Sequence, residues 1–308
     1  MKTNLIIGTR QSLLALWQSN HIADLLRRQY PECTVTLKKI ITKGDRILDV
    51  PLAKIGGKGL FTKELETALL EGEIDLAVHS LKDMPTILPE GLCLTAVTKR
   101  ANAGDAFVSN KYASIETEVT VGHPVKAVGA GRRKAQLLAA RPDLKIVDLR
   151  GNVDTRLRKL DDGQMDAIIL AAAGLTRLGY TDRIREIIPH NFCLPAVGQG
   201  ALAIECRTDN TEVRAMLNFL NDQPTKQATD AERAFLGLIE GGCQVPIGVH
   251  AVTEGDAVSI EAIIASLDGS TVLRDTIRGQ AVNAAELGKE LGNKMLDQGG
   301  RAILAEIM

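Results

Sequence analysis

The chain is poor in the features that would place it in a specialised class. Aromatic residues make up only 3%, too few for the stacking platforms on which single-stranded nucleic acids lie. Basic and acidic residues nearly cancel, leaving a formal charge of -1, so no field favours nucleic acid or an anionic membrane as partner. No apolar run has the length of a bilayer span. The longest, Ala167 to Ala173, suits a buried strand. The opening Met1-Lys-Thr-Asn-Leu-Ile-Ile-Gly8 holds too short an apolar run for a secretion signal. Five cysteines, at 33, 93, 193, 206 and 243, are odd in number and include no Cys-x-x-Cys pair. That argues against a zinc site or a disulfide framework and for a reducing, cytoplasmic compartment. No metal is expected.

What is present is ordinary globular material: 308 residues, 45% of them apolar, enough for two or three domains with ample core. Leu5–Gly8 reads as a short buried strand, and Ser12 as the N-cap of a helix running to about Gln29. Val35–Ile41 is a second strand. Residues 51–59 hold three glycines and two lysines without period, either a plain surface loop or a mobile lid. Thr62 opens a helix closed by Gly72. Ile74–Val78 and Leu92–Thr98 are strands. The polar stretch 99–105 is one candidate boundary. A second α/β series follows, with strands near 106–109, 125–128, 145–149 and 167–171 and helices beginning near Arg132, Val153 and Thr176. Such alternation implies a mainly parallel sheet. Leu194–Gly200 is the second boundary, after which Ala201–Cys206 can return to the first sheet. From Thr225 a helix, three strands (247–252, 259–266, 272–277) and a last helix from Ala284 suggest a small α+β unit. The expected division is 1–99 with 200–220, then 100–199, then 221–308.

Several arginines recur in one kind of place. Arg10 follows the first strand. Arg132 and Arg133 follow Val128-Gly-Ala-Gly131. Arg150 ends a strand and Arg156 rides the helix opened by Gly151-Asn152. Arg177 follows the strand ending near Ala173. Each is a strand C-terminus leading into a helix N-terminus, where open α/β sheets bind ligands and free N–H groups attract anions. A single arginine is ordinarily a solvated charge. A set placed alike implies a ligand with several negative groups. No Gly-x-x-x-x-Gly-Lys-[Ser/Thr] or Gly-x-Gly-x-x-Gly element follows the strands, which points to carboxylates rather than a nucleotide.

Two further residues invite chemistry. Asp83, in His79-Ser80-Leu81-Lys82-Asp83-Met84-Pro85, ends a buried strand. It is either a turn former or a carboxylate placed to stabilise a cation; His79 reads as structural. Cys243 follows a helical run and the double glycine Gly241-Gly242, ahead of Val245-Pro246. Glycines end helices and proline cannot continue one, so the thiol sits on a short loop. A free cysteine there is most often a small buried hydrophobe, but a thiolate can also be a nucleophile or an attachment point.

The stretch around Cys243, together with Thr9-Arg-Gln-Ser12, Pro51-Leu-Ala-Lys-Ile-Gly-Gly-Lys-Gly59, Ala77-Val-His-Ser-Leu-Lys-Asp83, Leu149-Arg-Gly-Asn-Val153 and Leu194-Pro-Ala-Val-Gly-Gln-Gly200, resembles the hydroxymethylbilane synthase, or porphobilinogen deaminase, family over nearly the whole chain. The resemblance implies two periplasmic-binding-protein-like α/β domains with the site between them, plus a small α+β C-terminal domain carrying Cys243. It implies a monomer that condenses four porphobilinogens head to tail, with release of four ammonia, on a dipyrromethane cofactor held to Cys243 by a thioether. By resemblance Asp83 is catalytic. Ser80, Lys82, Arg132, Arg133 and Arg156 bind cofactor. Arg10, Ser12, Lys58, Phe61, Arg150, Arg177 and Gln199 bind porphobilinogen and the growing oligopyrrole chain. Where the family has a Thr-Ser-Ser-Leu-type run before the arginine pair, Val128-Gly-Ala-Gly131 offers no hydroxyl. A non-catalytic two-lobed polycarboxylate-binding protein, or an inactive descendant of the synthase, is the alternative.

Overall fold

The structure, a computed structural model, describes residues 2–46, 59–116, 126–128, 131–147, 149, 151–239 and 246–307. The chain divides into two compact units. One comprises Met1–Ala101 and Ala201–Lys226, the other Asn102–Gly200 and Gln227–Met308.

The first unit is built on a five-stranded sheet, ordered Thr34–Lys39, Asn4–Thr9, Leu76–Ser80, Leu202–Arg207, Leu92–Val97. The first three run parallel, and Leu202–Arg207 runs against both neighbours. The return of this strand to the first sheet is the expected one. Its run Leu202–Cys206 is buried throughout, as a strand covered on both faces must be. Leu76 and Val78 face a core with Ile22, Ala23 and Leu26 of the helix Leu13–Gln29, while Ala77 faces another with Leu65 and Leu69 of the helix Lys63–Leu70. Alternate residues of one strand thus serve opposite layers. Ser12 caps as expected: its side chain accepts from the Ala15 N–H at 3.3 Å.

In the second unit Asp105–Ser109 lies between Ala167–Ala171 and Glu186–Ile187 and is antiparallel to both. The only parallel pairing here among the described residues joins Lys126–Val128 to Lys145–Val147. The expected mainly parallel sheet is therefore corrected. Strand–helix alternation sets direction only within an unbroken series, and Asp105–Ser109 is the strand entered directly from the first unit. The same holds for Leu202–Arg207 on the way back: each crossing delivers one strand against its neighbours.

Residues from 223 onward form the expected α+β group. A meander of Ile247–Glu254, Ala257–Ala265 and Val272–Gln280 carries the helices Gln223–Ile239 and Ala284–Met295, with Phe235, Val249, Ile260, Leu291 and Met295 in one core. The two helices touch closely at Gly288, where a Cβ would stand 2.2 Å from the Ala231 carbonyl oxygen. Backbone cannot yield as a side-chain tip can, so Gly288→Ala is expected to cost about 1–3 kcal/mol as an overpacking change. A lowered denaturation midpoint with unchanged slope is the readout. Among the described residues no helix is long and apolar enough to cross a membrane.

Candidate functional site

Within the first unit the parallel strands Thr34–Lys39, Asn4–Thr9 and Leu76–Ser80 end on one edge of the sheet. That edge gathers Arg10, Ser12, Asp45, Ser80, Lys82 and Asp83. The strand Leu76–Ser80 is buried up to its last residue and passes into a single 3₁₀ turn, Leu81–Asp83. Leu81, 1% exposed, is the anchor: its N–H donates to the Ala201 carbonyl at 3.0 Å, and its carbonyl accepts from Met84 at 3.1 Å. Lys82 and Asp83 are thereby held outward, exposed on a fixed turn. The Ser80 hydroxyl accepts from Gln18 Nε2 at 2.8 Å. His79 is buried and lies 3.0 Å from the buried Glu205 carboxylate, in keeping with a structural part. Burial, with the nearby Glu205 and Glu64 carboxylates, outweighs the Thr62 hydrogen bond and His79 and pushes the Glu66 carboxyl up.

Arg10 is fixed from two sides. Its guanidinium pairs with Asp45, Nε lying 3.2 Å from each oxygen, and its Cζ stands 4.2 Å over the Phe61 ring centroid. Burial works to raise the Asp45 pKa, but hydrogen bonds from Arg10 and Thr42 prevail and hold it below its ordinary value. Arg10 and Phe61 are thus brought together, and Asp45 is a partner that sequence reading missed. Lys58, with the stretch 51–58, lies outside the described residues, as does Arg150.

In the second unit three expected residues converge on one carboxylate. Asp105, the first residue of its strand and fully buried, receives Arg132 Nη2 at 2.8 Å, Arg133 Nη2 at 2.7 Å and Gln199 Nε2 at 2.9 Å. The Cys193 thiol adds a contact at 3.5 Å. Both arginines ride the first turn of the helix Gly131–Ala140. Burial alone would raise the Asp105 pKa; Arg132 and then Arg133 overcome it and hold the carboxyl far below the carboxylate range. Burial pushes the Cys193 thiol up to about 12. Gln199 also donates to the Ala103 carbonyl at 2.7 Å. Arg177 donates to the Gly200 carbonyl at 2.7 Å, and burial pulls its pKa down to about 10, which leaves it cationic at neutral pH. Arg156 Nε donates to the Gly151 carbonyl at 2.9 Å, from a helix capped by Asn152.

Two guanidinium groups share one carboxylate at Asp105, so among the described residues the cluster carries positive charge in excess. Arg133 Nε is also buried with no hydrogen-bond partner among the described residues. A cation in excess and an unanswered N–H suit a ligand carrying carboxylates.

Cys243 lies outside the described residues, but the helix leading to it does not. On that helix the buried Glu232 accepts from Gly198 N–H at 2.7 Å and from Ala251 N–H at 2.8 Å. One carboxylate ties the helix both to the 194–200 segment and to the meander. Asp105 and Glu232 were both missed in sequence. Neither gives a signal in sequence: Asp105, at a strand start beside Gly104, reads as a turn former, and Glu232, between Asp230 and Arg233, reads as a solvated helix face.

Residues 5–215 match the family described as porphobilinogen deaminase, dipyromethane cofactor binding domain. The chain belongs to the porphobilinogen deaminase family. Residues 226–297 match that family's C-terminal domain, so Cys243 falls in the latter and the other candidate residues in the former. The porphobilinogen deaminase of Trichlorobacter lovleyi is 52% identical over 98% of this chain and 96% of that protein. Those of Geobacter sulfurreducens and Desulforamulus reducens are 51% identical over 98% and 94%, and 50% identical over 100% and 99%, in the same order. Among solved structures, the periplasmic VFT2 domain of Bordetella pertussis BvgS aligns with a TM-score of 0.42 and 17% identity over 70% of this chain and 86% of that one, a likeness too slight to add to the family assignment.

Proposed function

We propose that this chain is a transferase that condenses four porphobilinogen molecules head to tail into the linear tetrapyrrole hydroxymethylbilane, releasing four ammonia, as part of porphyrin biosynthesis. The observation that carries the reading is the Arg132–Arg133 pair on the single carboxylate of Asp105, in the segment that matches the cofactor binding domain. Porphobilinogen bears an acetate and a propionate, and every added ring brings two more carboxylates. A site that buries excess guanidinium charge suits such a ligand, and the family assignment leaves no support for a purely ligand-holding protein.

In this reading Cys243 is the attachment point of the dipyrromethane, and Arg132, Arg133, Arg156, Lys82 and Ser80 hold its carboxylates. When bound, the cofactor supplies a nucleophilic pyrrole carbon as primer. Arg10, stacked on Phe61, and Ser12, Lys58, Arg150, Arg177 and Gln199 bind substrate. Asp83 is catalytic: its carboxylate oxygens accept hydrogen bonds from pyrrole N–H groups and offset the positive charge that develops as the carbon–nitrogen bond to ammonia breaks. The chain acts as a cytoplasmic monomer, in three domains, 1–99 with 200–220, 100–199 and 221–308.

Intact mass of the purified chain beside a Cys243→Ala variant tests the reading. The wild type is expected to carry an extra mass of two pyrrole units that the variant lacks, and to grow by single-pyrrole steps on adding porphobilinogen. A wild-type chain that stays unmodified after incubation with porphobilinogen or the linear tetrapyrrole would overturn it.

A further inference from the structure

Two cysteines that the reaction does not use face each other across the first unit's sheet. Leu92–Val97 and Leu202–Arg207 are antiparallel, and their register sets Cys93 directly opposite Cys206. Residues so opposed carry their side chains on one face, and both thiols pack into the core that holds Val213 and Met216. Farther along, the Thr208 N–H donates to the Gly91 carbonyl at 2.9 Å, which makes Gly91 and Thr208 a hydrogen-bonded pair. Such pairs alternate along a ladder, so Cys93 and Cys206, two residues on, are of the same kind, with Cα atoms about 5.5 Å apart. A disulfide forms across Cα separations of about 4.4–6.8 Å, so the register puts this pair within disulfide range.

The two thiols differ in access. Cys206 is fully buried, whereas Cys93 is partly exposed. Burial, followed by the neighbouring Cys93, pushes the Cys206 thiol up to about 12. Cys33 and Cys193 are buried, and each has its sulfur against oxygen acceptors, Thr34 carbonyl for the one and Asp105 for the other.

We propose that Cys93 and Cys206 form a reversible cross-strand disulfide in response to peroxide. The Cys93 thiolate attacks hydrogen peroxide, breaking its oxygen–oxygen bond to give a sulfenic acid and hydroxide, which takes up the proton that Cys93 gave up. The Cys206 sulfur then attacks the Cys93 sulfur. The sulfur–oxygen bond breaks, and the departing hydroxyl leaves as water with the Cys206 proton. Two thiols and one peroxide become one disulfide and two waters; the sulfurs lose two electrons and the peroxide gains them. Dithiol reductants reverse the step, so in a reducing compartment the bond is transient.

The pair sits at the sheet edge remote from Asp83. Ser80, which leads to Asp83, is opposite Leu202 at the other end of the same strand. Oxidation is therefore read in stability. It closes residues 94–205 into a covalent loop, which restricts the unfolded chain.

The test treats the cofactor-loaded protein with hydrogen peroxide, blocks remaining thiols by alkylation and maps the peptides. The expected result is a linked Cys93–Cys206 peptide, two fewer titratable thiols, recovery on adding dithiothreitol, and a higher unfolding midpoint in the oxidised form. Cys93→Ser and Cys93→Ala, both at the more exposed position, should each abolish the link. Oxidation of Cys93 to sulfinic acid without a linked peptide, full alkylation of both cysteines after peroxide, or loss of two thiols that persists in Cys93→Ser would each overturn the proposal.

Discussion

Asp83→Asn is expected to lower kcat by about 10²–10³-fold, or ~2.7–4 kcal/mol of transition-state stabilisation, while leaving the fold and cofactor loading as they are. The structure explains why the loss should be confined to rate. Asp83 is exposed at the end of a 3₁₀ turn held by Leu81, whose backbone bonds to Ala201 and Met84 do not involve the carboxylate. Asparagine keeps the shape of the side chain and one acceptor oxygen. What it removes is the negative charge that, in the proposed mechanism, faces the cation formed as ammonia leaves, an interaction made chiefly in the transition state. The check is single-turnover rate beside intact mass. A loaded Asn variant with wild-type kcat would remove Asp83 from the chemistry. A variant that fails to load would instead give it a part in assembling the site. Asp83→Ala should not be much worse than Asp83→Asn if charge, rather than a hydrogen-bond acceptor alone, is what counts.

What was legible in sequence was local. Ser12 announces its cap because a serine ahead of an apolar helical run has its N–H partner three residues on, at Ala15. The 3₁₀ turn after Ser80 could be anticipated because a buried strand meets Lys82-Asp83 and Pro85 in succession. Leu202–Cys206 could be read as a strand returning to the first sheet because it is mostly apolar and follows the boundary at Leu194–Gly200, although its buried Glu205 shows its reason only against His79. The direction of Asp105–Ser109 was not legible, since nothing within a strand says from which unit the chain has just come. Nor were the partners of the site arginines. The pattern of strand end and helix start marks Arg132 and Arg133 as anion binders, and sequence gave no reason to connect them with Asp105, more than twenty residues earlier, or with Gln199, far later. Asp105 is silent for a second reason: an acidic residue at a strand start beside glycine reads as a turn former, and only its full burial shows that it is a counter-charge. Glu232 is silent in the same way, because on a helix it reads as a solvated face until Gly198 and Ala251 are seen to bond to it.

Asp105→Asn should have the largest effect on stability of any single change considered. The carboxylate is fully buried between two guanidinium groups that are themselves only 11% and 13% exposed. Removing one member of a buried charge cluster leaves the others uncompensated, at about 3–5 kcal/mol. The pH dependence separates this from lost packing. The folded Asp105 pKa is depressed, while an unfolded aspartate titrates near ~3.9. Its contribution is therefore fully present above the unfolded value and declines as pH falls below it, toward the folded value. The stability gap between wild type and Asp105→Asn, measured by denaturant unfolding, should be wide at neutral pH and should begin to close progressively as pH falls below about 4. A gap that stays constant across that range would mean that Asp105 acts by shape alone. Loading supplies the link to function. If Asp105 fixes Arg132, Arg133 and Gln199 for ligand carboxylates, then even the folded fraction of the variant should carry less of the two-pyrrole adduct. Supplying the linear tetrapyrrole at high concentration should partly restore it, because a ligand carboxylate can take up part of the charge that Asp105 no longer balances.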